Sequence, residues 1–348
     1  MNMISLHTDT RAHSHTAAQQ LVDKHGRPVR YLRISITDRC NLACRYCRGQ
    51  NSPFIPHERI LRFEEIEQIV ALGIASGVNK VRFTGGEPFV RKGFLPFLQR
   101  IHERFPSLDI RLTSNGTLLG DALESLKKLR VNVNLSLDTL NREKFAAITG
   151  RDLLPTVLEN MQRMLQLGIR LKVNAVAMHG VNHDDLPALA ALSMDAPIDV
   201  RFIEFMPMGT ESIWSDDTFW PAASILADMS QRWQLLPAAH AAGEAGPARL
   251  WKLRKGKRLS VGHMGIISSV SQCFCSSCNR LRLTADGHLR TCLYDDREYA
   301  IRNVLRRLGP EAVRRILLAA VARKPVGADL LARRHGPVAR KQMSAIGG

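Results

Sequence analysis

Cys40, Cys44 and Cys47 stand in the stretch DRCNLACRYCRGQ, Asp38 to Gln50, with the spacing C-x3-C-x2-C. Thiols this close suit a metal, yet they are one short of the number that closes a structural zinc shell. A cubane iron-sulfur cluster is normally held by four thiolates, so three leave one iron open to an outside ligand. Zinc is the main rival, but catalytic zinc favours a His or carboxylate among its ligands. A second group, Cys273, Cys275, Cys278 and Cys292, lies far along the chain and contains the spacing C-x2-C-x13-C. All seven cysteines fall into these groups, a segregation that random core cysteines would not show.

The chain of 348 residues is 45% hydrophobic, ample for a sizeable core. No apolar run is long enough to suggest a membrane span, and the first residues lack a secretory pattern. A cytoplasmic location is therefore expected, where thiols stay reduced and serve metal or redox chemistry. The formal net charge of +17 points to an anionic partner: nucleic acid, an acidic membrane surface or a phosphorylated small molecule. Much of that excess reads as solvated helical faces in the C-terminal third.

What would position the cysteines is a repeating pattern of short strands and amphipathic helices. Residues 1–28 read as a polar, disordered lead-in. Strands are expected at LRISI (32–36), KVRFT (80–84), DIRLTS (109–114), NVNLSL (132–137), RLKVNAV (170–176) and DVRFIEF (199–205). Helix-like stretches between them place apolar residues at three- and four-residue spacing. The fold class is thus α/β, an incomplete (β/α)6 barrel of the TIM type over 29–206. A C-terminal region, 207–348, carries the second cysteine set and is expected against the barrel mouth. In such barrels the chemistry sits in loops after the strands. Here those loops hold the first cysteines, GGEP (Gly85 to Pro88), TSNG (Thr113 to Gly116), Ser136 with Asp138, and Met206.

CNLACRYC after the first strand and GGEP after the second resemble the radical S-adenosylmethionine superfamily. That resemblance implies a [4Fe-4S] cluster whose open iron chelates S-adenosylmethionine, and chemistry done by a 5′-deoxyadenosyl radical rather than by a catalytic side chain. TDRCN, RFTGGEPFVR, LTSNGTLL, NLSLDTLN, KVNAV, RFIEFMPMG, SVSQCFCSSCNRLRLTADGHLRTCL and the terminal IGG occur in order. Together they resemble the GTP 3′,8-cyclase family, which opens molybdenum cofactor biosynthesis.

By that resemblance Cys40, Cys44 and Cys47 hold the first cluster, and Cys275, Cys278 and Cys292 hold a second [4Fe-4S] cluster whose open iron meets the purine of GTP. Cys273 is left as a spare thiol. Tyr46, Gly86, Ser136 and Met206 match contacts to S-adenosylmethionine. Arg33, Arg82, Thr113, Lys172, Arg280, Leu281 and Arg282 match contacts to GTP, with Arg201 in a comparable strand position. The tail, Gly347 and Gly348, is expected to enter the active site beside Arg33 or Arg82. The family usually carries Met-Pro after the first cysteine motif; this chain has Arg48-Gly49, a departure that bears on the local loop.

The implied reaction removes hydrogen from C3′ of GTP, joins C3′ to C8 and yields (8S)-3′,8-cyclo-7,8-dihydroguanosine 5′-triphosphate, with both clusters facing one cavity. Implied partners are an electron donor and a downstream cyclic pyranopterin monophosphate synthase, with neither nucleic acid nor membrane; a homodimer is compatible. Two other readings remain: a radical enzyme with an auxiliary cluster that matures peptides, and a basic zinc protein that binds nucleic acid.

Overall fold

The computed structural model describes residues 20–47, 53–209, 213–240, 246–333, 339 and 341–347. Arg48, Gly49, Gly348 and residues 1–19 lie outside the described residues. The strands are β1 (Tyr31–Ser35), β2 (Lys80–Thr84), β3 (Asp109–Ser114), β4 (Asn132–Ser136), β5 (Leu171–Ala177), β6 (Asp199–Glu204), β7 (Gln234–Ala238), β8 (Arg249–Lys255), β9 (Arg258–Leu259), β10 (His263–Ile267), β11 (Arg280–Leu283), β12 (His288–Arg290) and β13 (Tyr299–Ala300). The helices are α1 (Phe63–Ala75), α2 (Phe94–Arg104), α3 (Leu123–Lys128), α4 (Arg142–Thr149), α5 (Leu154–Gln166), α6 (Leu186–Asp195), α7 (Ala222–Arg232), α8 (Arg302–Ala322), α9 (Gly327–Ala332) and α10 (Met343–Ile346).

All six expected strands form, with ends shifted by a single residue at most. They pair in parallel and in chain order, as right-handed βα crossovers dictate. The C-terminal region then adds what the six repeats did not announce. β11 joins β1 and β10 joins β6, both in parallel, so the parallel run is β11-β1-β2-β3-β4-β5-β6-β10. Antiparallel strands extend both edges, β12 and β13 beyond β11, and β8 and β7 beyond β10. β10 and β11 do not pair with each other, so the barrel is open on that side.

Alternation decides the two faces of the sheet. Leu32, Ile34, Val81, Phe83, Ile110, Leu112, Val133 and Leu135 are buried in one core with Ile66, Ile69, Phe94, Phe97 and Ile101 of the helices. Phe83 meets Phe94 and Phe97 edge to face, at 6.0 and 5.5 Å between ring centroids. Full burial of one such ring contributes about 1.5–3 kcal/mol. The alternate positions carry arginine, lysine, threonine and asparagine and face the barrel interior.

The first helix is fixed at its start by Arg62 N, which donates to Glu65 Oε2 at 2.7 Å. Glu65 also accepts from Arg306 Nε at 2.5 Å, which ties α1 to α8. α8 is broken before Pro310, where a missing N–H interrupts the ladder.

Residues 20–28, expected within a disordered lead-in, are instead held against the barrel. Leu21 is buried and its N–H donates to Ser76 O at 3.1 Å, while Asp23 and Arg27 form a buried pair at 2.6 Å. Polar composition misleads here because the arginine and aspartate satisfy each other inside the fold.

Candidate functional site

The first cysteine loop leaves the C-terminal end of β1 and is clamped on two sides. On one side Gly86 N donates to Thr37 O at 2.7 Å and Glu87 N to Arg39 O at 2.9 Å. A Cβ on Gly85 would stand 2.2 Å from Thr37 O, and one on Gly86 2.1 Å from Arg39 O. Glycine is therefore required so that the two backbones can meet. On the other side Ala43 N donates to Thr149 O at 2.8 Å and Arg45 N to Ile148 O at 3.0 Å, at the end of α4. Cys40 Sγ accepts from Leu42 N at 3.4 Å and from Asn115 Nδ2 at 3.6 Å. Burial, then the charges of Cys47, Asp138 and Cys40, push the Cys44 thiol well up.

Two buried carboxyls brace this loop and its neighbours. Glu87 accepts from Ser114 Oγ at 3.0 Å and from Asn115 N at 2.8 Å, joining the loops after β2 and β3. Burial pushes its carboxyl up to about 7 against the pull of those bonds. Asp138 accepts from Tyr46 OH at 2.7 Å and from Val176 N at 2.8 Å, and burial pushes it up to about 6. Tyr46 in turn meets Phe205 edge to face at 6.4 Å. Gly86, Ser136 and Met206 sit at or within two residues of the C-terminal ends of β2, β4 and β6, and Tyr46 lies in the cysteine loop that follows β1.

Inside the barrel runs a stripe of cations. Arg282, Arg33, Arg82 and Arg111 stand in register on β11, β1, β2 and β3, with Arg280, Tyr31 and Lys80 in the row beneath. Arg82 donates to Tyr31 OH at 2.5 Å, Thr113 Oγ1 at 3.1 Å and Leu112 O at 3.2 Å. Arg111 is paired with Asp109 at 2.8 Å, and Lys172 with Asp199 at 3.1 Å. Arg201 is buried with Nε and Nη2 lacking any hydrogen-bond partner. Three strands separate β6 from β2, yet the charge of Arg82 acts on Arg201, so the sheet curls until these faces meet.

The crowding shows in the protonation equilibria. Burial and then Arg82 lower Arg201 to about 9, and burial and then Arg280 lower Arg282 to about 10. Burial and then Arg201 lower Lys172 to about 8. Burial opposes ionisation of Tyr31, but Arg82, Arg33 and Arg280 outweigh it and bring the phenol down to about 7. Such a stripe is stabilised by a multiply charged anion, and guanidinium forks match phosphate oxygens. Leu281 faces the other way, buried in the core, so only its backbone is available to the interior.

The second cysteine set lies on the chain that crosses from the end of β10 to the start of β11, and just after β12. It therefore lies on the open flank of the barrel, between β10 and β11, the two end strands of the parallel run, which do not pair with each other. Along the β1–β11 pair the two cysteine sets lie at opposite ends, with the arginine stripe between them. At the start of α9, a Cβ on Gly327 would stand 3.1 Å from Cys275 Sγ and 3.2 Å from Cys292 Sγ. Lys324 Nζ donates to Cys278 Sγ at 3.5 Å. Burial resists ionisation of Cys278, but Lys324 and Arg280 pull it below its ordinary value. Cys273 donates to Ser269 O at 3.0 Å and shares a hydrogen bond with Cys275, which raises Cys273 and lowers Cys275. Met206 packs in the same small apolar cluster as Cys273, Cys292 and Tyr294.

All seven cysteines are free thiols. Among the described residues no group of His, Cys, Asp or Glu could hold a single metal ion. A cubane is larger than one ion, and the donor sets fit it: cysteine only, space kept open at Gly327, and donors on Cys40 and Cys278 sulfurs of the kind that tune such clusters.

The tail also reaches the stripe, where Gly347 meets Arg282, the register neighbour of Arg33. Gly347 O accepts from Arg282 Nη1 at 2.6 Å, and a Cβ on Gly347 would lie 3.0 Å from Thr84 Cγ2. Sequence reasoning did not single out Tyr31, Arg27 or Lys324. Tyr31 could have been found from its register with Lys80; the other two carry no local signal.

The chain matches the family model for the Radical SAM superfamily over residues 34–192 and that for Molybdenum Cofactor Synthesis C over residues 198–330. It is 42% identical over 332 residues to a GTP 3′,8-cyclase of Pelotomaculum thermopropionicum, covering 94% of this chain and 99% of that one. A GTP 3′,8-cyclase of Syntrophomonas wolfei is 39% identical over 338 residues, covering 94% and 100%. Among solved structures, Streptococcus suis SuiB bound to S-adenosylmethionine superposes with a TM-score of 0.61 at 15% identity, over 89% of this chain and 70% of that one. That likeness concerns the fold alone. Identity of this order across nearly the whole chain, with both family models matched in sequence, means that the chain belongs to the GTP 3′,8-cyclase family of the radical SAM superfamily.

Proposed function

We propose that this chain converts GTP to (8S)-3′,8-cyclo-7,8-dihydroguanosine 5′-triphosphate, the first step of molybdenum cofactor biosynthesis. The observation that carries the reading is the arginine stripe inside the barrel between two all-cysteine sets, with Arg201 buried beside it and its Nε and Nη2 without hydrogen-bond partners. Unpaired charge in an interior is costly, and a triphosphate offsets that cost with several charge-assisted hydrogen bonds at once.

In this reading Cys40, Cys44 and Cys47 hold one [4Fe-4S] cluster, and Cys275, Cys278 and Cys292 hold another. When bound, the first would supply the one-electron chemistry for reductive cleavage of S-adenosylmethionine. Tyr46, Gly86, Ser136 and Met206 seat the S-adenosylmethionine at the strand ends. Arg33, Arg82, Arg280, Arg282 and Lys172, with Thr113, Arg201 and the Leu281 backbone, hold the nucleotide within the barrel. Placement is what these residues contribute, since holding reactants in register is worth several orders of magnitude in rate. The stripe lies between the cysteine sets, so a nucleotide bound on it can present its ribose to one set and its base to the other. We assign the barrel to 29–206 and the second-cluster region with its Gly347-Gly348 tail to 207–348. Electrons come from a separate donor, and the product passes to a cyclic pyranopterin monophosphate synthase.

The test is anaerobic incubation with GTP deuterated at C3′, S-adenosylmethionine and reductant. The expected products are a chromatographically distinct isomer of GTP and deuterium in 5′-deoxyadenosine. Cleavage of S-adenosylmethionine without deuterium transfer would overturn the reading and favour another substrate.

A further inference from the structure

A buried pair of cations touches every segment of the second cysteine set. Lys324 is 1% exposed. Its ammonium donates to Thr291 O at 2.5 Å, Arg280 O at 3.0 Å and Cys278 Sγ at 3.5 Å, which uses all three of its N–H groups. Thr291 immediately precedes Cys292, and Arg280 follows Cys278 by one intervening residue, so this ammonium spans two of the ligand segments. The third is held by Arg27, whose Nη1 donates to Cys275 O at 2.6 Å. Arg27 Nη2 donates to Pro325 O at 3.0 Å and to Lys324 O at 3.5 Å, fixing the backbone from which Lys324 projects. Asp23 closes the clamp by accepting from Arg27 Nε at 2.6 Å.

The charges of the two cations are not treated alike. Arg27 has Asp23 as its counter-ion. The acceptors of Lys324 are two carbonyls and a sulfur, none of them a carboxylate. A buried ammonium needs a compensating negative charge, and the nearest candidate is the sulfur of Cys278 with whatever it ligates. A positive charge at that distance favours the state that carries one more electron, and hydrogen bonding to a cluster sulfur acts in the same direction.

We propose that Lys324 is the positioning residue of the Cys275, Cys278 and Cys292 site: it holds two ligand segments together and raises the reduction potential of the group they bind. The proposal rests on reading that site as iron-sulfur. Arg27 sets the position of Lys324 and of Cys275 without supplying unpaired charge.

The experiment uses the full chain with Cys40, Cys44 and Cys47 replaced by Ala, reconstituted anaerobically, so that only the second site reports. Iron and sulfide content check the underlying reading: a parent protein without about four irons sinks that reading itself. In a parent that has them, Lys324→Gln should lower the one-electron reduction equilibrium at least tenfold, a shift of about 59 mV to more negative potential. Lys324→Met, which also loses the hydrogen bonds, should release its iron to a chelator at least tenfold faster. Arg27→Gln should keep the potential while losing iron faster than the parent. An unchanged potential and an unchanged chelation rate in the Lys324 variants would overturn the proposal. A potential shift in Arg27→Gln equal to that in Lys324→Gln would overturn the assignment of charge to Lys324. If either Lys324 variant cannot be purified folded, the same substitution in the chain that keeps Cys40, Cys44 and Cys47 decides by difference. Iron lost from the second set alone supports the positioning role, and iron lost equally from both sets refutes it.

Discussion

The two cysteine sets share one chemical plan and sit in opposite electrostatic surroundings. Around Cys40, Cys44 and Cys47 the neighbours are the buried carboxyls Asp138 and Glu87, the phenol of Tyr46 and the amide of Asn115. Around Cys275, Cys278 and Cys292 they are Arg27, Lys324 and the arginines of β11. The anchoring differs as well. The first set is held by backbone pressed on backbone at Gly85 and Gly86, the second by long cationic side chains reaching carbonyls. A thiol set amid buried carboxyls resists further negative charge, whereas one amid cations welcomes it. Ionisation of a thiol is accordingly resisted at Cys44 and favoured at Cys278.

The sharpest way to break this comparison is to remove one set at a time. Cys44→Ser should abolish 5′-deoxyadenosine formation, a fall on the order of a thousandfold, because the remaining thiolates cannot hold a cubane. Cys278→Ser should halve the iron and stop cyclisation while slow cleavage of S-adenosylmethionine persists. If both variants lose both activities together, the sets do not have separate roles.

Next in size is the tail. Deleting Gly347 and Gly348 removes the carbonyl that Arg282 holds and leaves every cysteine in the sequence. Cyclisation should drop on the order of a hundredfold with iron content unchanged, as expected when positioning alone is lost. Turnover at the parental rate would mark the tail as a loose end.

Arg82 tests the stripe between the sets. Arg82→Met removes donors to Tyr31 and Thr113 together with one guanidinium. The Kd for GTP should rise roughly tenfold to a hundredfold, the worth of one or two charge-assisted hydrogen bonds, while uncoupled cleavage of S-adenosylmethionine stays the same. Titration calorimetry with GTP measures it; an unaltered affinity would remove the stripe from the substrate site.

The smallest effect probes the carboxylate side through pH. Glu87 moves from 4.5 to about 7 on folding, so the folded chain binds the extra proton between these values and stability declines as pH rises through that window. The decline should amount to about 2–3 kcal/mol, discounting the full shift for relaxation around a buried group. Denaturant unfolding of the parent and of Glu87→Gln at pH 5 and pH 7.5 reads it, and the slope should flatten in the variant. Equal slopes would mean that Glu87 is solvated or paired in a way that cancels its burial.

How much of this was legible beforehand depends on the range of the interaction. The strands KVRFT and DIRLTS, and the incomplete barrel they imply, follow from alternation and periodicity, which are local properties of the chain. The cysteine sets and the glycine pair were equally legible, because the spacing C-x3-C-x2-C and the dipeptide at Gly85-Gly86 are short-range patterns. β10 and β11 were not, since each is a brief segment whose role depends on the edge it finds. The same holds for the second cysteine set, whose seat on the open flank follows only from β10 and β11 ending the parallel run without pairing with each other.

Residue chemistry and near-neighbour spacing thus determined the donor atoms, the strands and the kind of ligand this chain is built for. Tertiary structure alone decided that Arg282 holds the Gly347 carbonyl, that Asp23 and Arg27 fold inward, and that Lys324 comes to rest on Cys278. The physical reason is one of distance along the chain. Lys324 is 46 residues from Cys278, and Arg27 is 248 from Cys275. No local periodicity records such contacts, because they exist only once a shared core has fixed the segments that carry them.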